Sequence, residues 1–73
     1  MAIVDVKSEI TGNVWKILAE PGQSVSEDEP IIMMESMKME IPISAPEAGT
    51  VKEILVKEGD VVTEGKVVAR IEA

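Results

Sequence analysis

Lys38 is set apart from the other basic residues by what flanks it. It lies in the run Glu35-Ser36-Met37-Lys38-Met39-Glu40, an amine between two thioethers, bracketed by two carboxylates. At neutral pH a lysine is almost wholly ammonium, a weak nucleophile until desolvation or a neighbouring cation activates it. This run supplies neither. Lys38 is therefore expected to be the substrate of a modifying enzyme that brings its own base and an activated acyl group. The remaining inventory agrees. The chain has no His, Cys or Tyr, which leaves few groups for acid–base or nucleophilic catalysis. It also leaves none for thiol redox chemistry, thiolate metal sites or disulfides. Glu27-Asp28-Glu29 lacks the spaced oxygen ligands and loop glycine of a calcium loop. We expect no metal site and no independent enzyme.

Met33, Met34, Met37 and Met39 cluster around this lysine. Met34 is expected in the core, because an internal repeat places Ile71 at the matching position. Nothing in the repeat demands an apolar residue at Met37 or Met39, and exposed thioethers adapt well to a protein surface. With Glu35, Ser36 and Glu40 they form the candidate recognition set around Lys38. Glu35 is open to a second reading as scaffold, since Glu72 matches it. Trp15 aligns with Lys52 and reads as packing on a strand face that tolerates partial exposure.

The elements that must position Lys38 follow from composition. The 73 residues suffice for one small domain. Ten Val and nine Ile stand against two Leu, and branched Cβ atoms suit a pleated surface. An all-β fold is expected. The net charge of −7 argues against nucleic acid and anionic membranes as partners. No apolar stretch exceeds about five residues, far short of the roughly 20 that span a bilayer, and Met1-Ala2-Ile3 does not resemble a signal peptide. The chain reads as soluble.

A shift of 37 positions (49 − 12) superposes Gly12 on Gly49, Val14 on Val51, Ile17 on Ile54, Leu18 on Leu55, Gly22 on Gly59, Val25 on Val62, Glu27 on Glu64 and Glu35 on Glu72. The repeats, approximately residues 3–36 and 40–73, predict two half-domains about a pseudo-two-fold axis. Each half reads as a short run (Ile3 to Lys7; Met39 to Ser44), a strand opened by Gly (Gly12 to Ala19; Gly49 to Val56), a Gly-containing turn, a very short strand (Ser24 to Ser26; Val61 to Thr63) and a last strand (Pro30 to Glu35; Lys66 to Glu72). Seven or eight strands and no long helix are expected.

The seam falls at Met37-Lys38. If the chain reverses there, Ser36 faces Met39 and Glu35 faces Glu40. A two-residue hairpin turn of the mirror type prefers Asn-Gly, so Met-Lys is a costly choice, and the facing carboxylates repel. Broken local rules at one spot mark a functional site. The repeat also places the chain termini at the end of the domain away from the tip.

Ser36-Met37-Lys38-Met39, preceded by Glu35 and set between two β repeats, resembles the biotin attachment site of biotin carboxyl carrier domains. The likeness extends over Gly12, Gly22, Gly49 and Gly59, and over Ile41-Pro42-Ile43, Ala45-Pro46 and Ala48-Gly49-Thr50. It is strongest to short, stand-alone biotin/lipoyl attachment proteins. Many members carry Ala where this chain has Ser36, and no insertion resembles the protruding thumb of some carriers. The resemblance implies a flattened barrel, or sandwich, of two four-stranded sheets with Lys38 on an exposed hairpin. It implies that a biotin protein ligase transfers biotin from biotinyl-AMP to Lys38. Carboxybiotin would then shuttle between a biotin carboxylase and a carboxyltransferase, as in acyl-CoA carboxylases, with the isolated carrier a cytoplasmic monomer. Lipoate is the alternative cofactor, although lipoyl sites typically read Asp-Lys-Ala. An unmodified interaction module is the rival from another class.

Overall fold

Val4 and Val6, like their repeat counterparts Ile41 and Ile43, alternate with more exposed neighbours, the period of a strand covered on one face. The computed structural model describes residues 2–73. These form eight strands: β1 (Ile3–Lys7), β2 (Gly12–Ile17), β3 (Ser24–Val25), β4 (Pro30–Ser36), β5 (Met39–Ser44), β6 (Gly49–Ile54), β7 (Val61–Val62) and β8 (Val67–Glu72). There is no helix among the described residues. All pairings are antiparallel, in two four-stranded sheets ordered β1-β8-β6-β3 and β5-β4-β2-β7. A shift by one repeat converts one order into the other. The all-β, two-sheet expectation holds, and the strand count is eight.

Strand ends differ from expectation by one or two residues. β2 and β6 stop at Ile17 and Ile54, and Ala19 and Val56 beyond them are buried. β4 runs one residue further, to Ser36, and β8 begins at Val67.

The core lies between the sheets and is built from matched pairs. Val14 and Val51, Val25 and Val62, Ile31 and Val68, Ile32 and Ala69, and Met34 and Ile71 are all buried. Consecutive buried residues on β4 and β8 would break a two-residue period. Register shifts explain them: β4 against β5 between Pro30 and Ile32, and β8 against β1 between Val6 and Lys7. Such bulges let neighbouring residues face the same side. β2 and β6 carry matching shifts at Trp15 and Lys52, and Trp15 is 49 % exposed.

The turns after β2 and β6 use Gly22 (φ 91°) and Gly59 (φ 94°), where positive φ favours glycine. In the β3–β4 turn Asp28 (φ 67°) stands where the other half has Gly65 (φ 89°). Glu27-Asp28-Glu29 is thus a turn, and no group of three His, Cys, Asp or Glu residues arranged for a metal occurs among the described residues.

The outer face of the first sheet carries an ion-paired row, Asp5–Arg70–Glu53, with Arg70 Nε 3.1 Å from Asp5 Oδ1 and Nη1 2.6 Å from Glu53 Oε1. The hydrogen bonds to Glu53 and then Asp5 hold the guanidinium above its ordinary pKa. The equivalent row of the second sheet is Pro42–Met33–Lys16.

The molecule is 36 Å long. At one end the Ala2 and Ala73 backbones exchange hydrogen bonds of 3.1 and 2.9 Å. β1 runs from there to Lys7, and Ser8 and Thr11 meet Gly65 and Glu64 at the other end. Thr11 also meets Ser36 there. The β4–β5 connection and the termini therefore lie at opposite ends.

Candidate functional site

β4 and β5 form a hairpin in which Ser36 pairs with Met39 and Glu35 with Glu40. Two residues remain for the turn, Met37 (φ 50°) and Lys38 (φ 65°). Both occupy the left-handed region, as a mirror-type turn requires. For residues with a Cβ this costs roughly 1 kcal/mol or more each. The cost is tolerated because the strand beneath is fixed. Ile31, Ile32 and Met34 of β4 are fully buried.

The hairpin projects its end residues outward. Met37 is 91 % exposed and Met39 60 %, whereas Met34 is 0 % exposed. Lys38, Glu35 and Glu40 are exposed as well. Glu35 and Glu40 stand opposite each other. The ion pairs among the described residues involve only Arg70, Asp5 and Glu53, so neither carboxylate is neutralised by a bridge there. Two shallow grooves run beside β1 and β5, the first of about 300 Å³ and lined in part by Ile10, Ile41 and Pro42. Lys38 lines neither. The tip is convex, with its amine offered outward.

Ser36 behaves differently from its neighbours. It is half-buried, and its Oγ donates to the Thr11 carbonyl oxygen at 3.1 Å. Thr11 Oγ1 in turn accepts from the Glu64 backbone N–H at 2.9 Å. Beside this contact Gly12 lies so close to β4 that a Cβ would stand 2.5 Å from the Glu35 carbonyl oxygen. The candidate set is thus gathered at one tip, with Met37, Lys38, Met39, Glu35 and Glu40 outward and Ser36 engaged inward. Sequence reasoning did not find Thr11 or the hairpin contact of Gly12. The signal available was the repeat itself, which sets Thr11 against Ala48.

Such a tip can enter a cleft in another protein, where the Lys38 amine can accept an acyl group.

A family model described as biotin-requiring enzyme, of biotin/lipoyl type, matches residues 1–71. The chain is 42 % identical over 66 residues to the biotin/lipoyl attachment protein of Bacillus subtilis, covering 90 % of each. It is 37 % identical over 67 residues to the biotinylated protein TB7.3 homolog of Mycobacterium leprae, covering 92 % of this chain and 94 % of that one. Among solved structures, the urea carboxylase of Kluyveromyces lactis superposes with a TM-score of 0.93 at 38 % identity, over 99 % of this chain and 6 % of that one. The lipoyl domain of the 2-oxoglutarate dehydrogenase complex from Azotobacter vinelandii superposes with a TM-score of 0.78 at 28 % identity, over 96 % of both.

Proposed function

The chain belongs to the biotin/lipoyl attachment family, and on that premise we propose that it is a biotin carboxyl carrier modified at Lys38. The observation that carries this reading is the outward amine on a strained two-residue turn, with exposed Met37 and Met39 on either side. A turn built for stability would place Asn-Gly there. The methionines also favour biotin over lipoate, whose sites typically set Asp and Ala beside the lysine. The M. leprae relative described as biotinylated supports the same choice.

In the attachment step a biotin protein ligase supplies the base and the acyl adenylate. Lys38 Nζ loses a proton, forms an amide with the acyl carbon, and AMP leaves. Met37 and Met39 provide adaptable apolar contact to the ligase, and Glu35 and Glu40 add negative charge that favours a basic rim on the partner. When attached at Lys38, biotin would supply the carrier for a carboxyl group passing between a biotin carboxylase and a carboxyltransferase, as in acyl-CoA carboxylases. The domain's own part is presentation. Tethering replaces a diffusional encounter by an effective concentration on the order of millimolar. The isolated carrier is a cytoplasmic monomer in this reading. No helix among the described residues is long and apolar enough to cross a membrane.

The test is a competition in vitro, with the purified chain offered to a biotin protein ligase and, separately, to a lipoate ligase. Rapid transfer by the first alone supports the proposal. Transfer by the lipoate ligase alone selects lipoate, and transfer by neither selects an unmodified docking module.

A further inference from the structure

The two halves of the molecule provide an internal control for what the fold needs. At the tip, Ser36 Oγ donates to the Thr11 carbonyl and Thr11 Oγ1 accepts from the Glu64 N–H. At the opposite end the repeat places Ala73 at the position of Ser36 (36 + 37 = 73) and Ala48 at that of Thr11 (11 + 37 = 48). The equivalent strands β6 and β8 pair there, and Gly49 makes the matching close approach, with its would-be Cβ 2.5 Å from the Glu72 carbonyl oxygen. The end without the lysine thus closes with neither hydroxyl. Both hydroxyls are extra to the scaffold.

We propose that Ser36, held by Thr11, is a positioning residue that fixes the orientation of Lys38 for acyl transfer; this rests on the reading of Lys38 as the modified amine. Ser36 is the last residue of β4 and the partner of Met39, so it closes the base of the turn. Above it stand only Met37 and Lys38, both at positive φ and with exposed side chains. Such a turn relaxes by fraying unless its base is anchored. The Ser36 hydroxyl supplies the anchor across 25 residues of sequence. It ties the tip to the β1–β2 loop and, through Thr11, to the β7–β8 turn. An amine held in one orientation meets the acyl carbon in a near-attack geometry more often than one on a loose turn. Ser36 touches neither the amine nor the incoming group and acts through the backbone.

Backbone amide exchange in the unmodified chain tests the anchor without any ligase. Ser36→Ala should speed exchange at Met39 and Ile41, the β5 residues that pair with Ser36 and Met34 nearest the turn, roughly three- to tenfold, the worth of one such hydrogen bond, and leave β1 and β6 unchanged. Ser36→Thr, which keeps the hydroxyl, should restore slow exchange. Thr11→Val, which removes the hydroxyl and keeps the carbonyl, should give a smaller increase at the same residues. With a biotin protein ligase, Ser36→Ala should lower kcat several-fold with KM within about twofold. The proposal is overturned if exchange at the tip is unaltered in Ser36→Ala, if it rises equally in all strands, or if Ser36→Thr behaves like Ser36→Ala. It is also overturned if exchange rises at the tip while kcat stays unchanged. If no ligase modifies even the parent chain, the functional reading fails, and the exchange result still decides whether the anchor exists.

Discussion

Replacing Gly12 by alanine puts a methyl carbon 2.5 Å from the Glu35 carbonyl oxygen and 3.2 Å from Ser36 Cβ. Ordinary contact begins near 3.4 Å, so β2 and the end of β4 must part by roughly 0.9 Å (3.4 − 2.5). The nearest obstacle is backbone, so no side-chain rotation relieves the clash. Overpacking of this kind costs about 1–3 kcal/mol, which for a domain of this length lowers the melting temperature by roughly 5–20 °C. Gly49→Ala is the matched control. Its methyl would stand 2.5 Å from the Glu72 carbonyl oxygen and 2.8 Å from Ile71 Cγ2, at the end where the termini lie. Both variants should melt lower than the parent by calorimetry. Only Gly12→Ala displaces the base of the hairpin, so only it should slow biotin transfer when both are assayed as folded chains at 15 °C. A Gly12→Ala chain melting within about 2 °C of the parent would refute the packing argument. Equal slowing of transfer by Gly49→Ala would refute the claim that the tip is addressed specifically.

Met37→Asn should raise the melting temperature, since Asn tolerates the left-handed region better than Met, by an amount worth up to about 1 kcal/mol, while slowing transfer. A variant that is both more stable and modified at the parent rate would remove the recognition role assigned to Met37. Met34→Ala should cost about 2–5 kcal/mol because the side chain is fully buried, whereas Met39→Ala should change stability by less than about 0.5 kcal/mol and still reduce transfer. Denaturant unfolding of the two, beside ligase kinetics on Met39→Ala, separates core from contact methionine.

Much of this was legible in the residues. Branched side chains with a short period announced strands, and the repeat placed Met34 in the core through its match to Ile71, because two halves under one symmetry bury the same positions. The pairing of Glu35 with Glu40 followed from a two-residue turn, since its length sets register. The bulges were not legible. An extra residue in a strand breaks alternation, so the Trp15 position reads as an irregularity until the facing strand is known. The Asp5–Arg70–Glu53 row and the Ser36–Thr11 hydrogen bond also depend on which distant strands become neighbours. Ser36 shows the difference most clearly. Its place beside Lys38 put it in the candidate recognition set, and the fold adds a hydrogen bond from its hydroxyl to the distant Thr11 carbonyl. Only the fold could reveal that, because nothing near Ser36 in sequence offers the acceptor.

The central claim is that Lys38 carries biotin. Its most direct test is the intact mass of the chain after co-expression with a biotin protein ligase, followed by fragmentation to locate the modified residue. The account predicts a single biotinyl increment confined to Lys38 and absent from Lys38→Ala. A lipoyl increment, a biotinyl group on any of the other lysines, or an unmodified parent chain would contradict it.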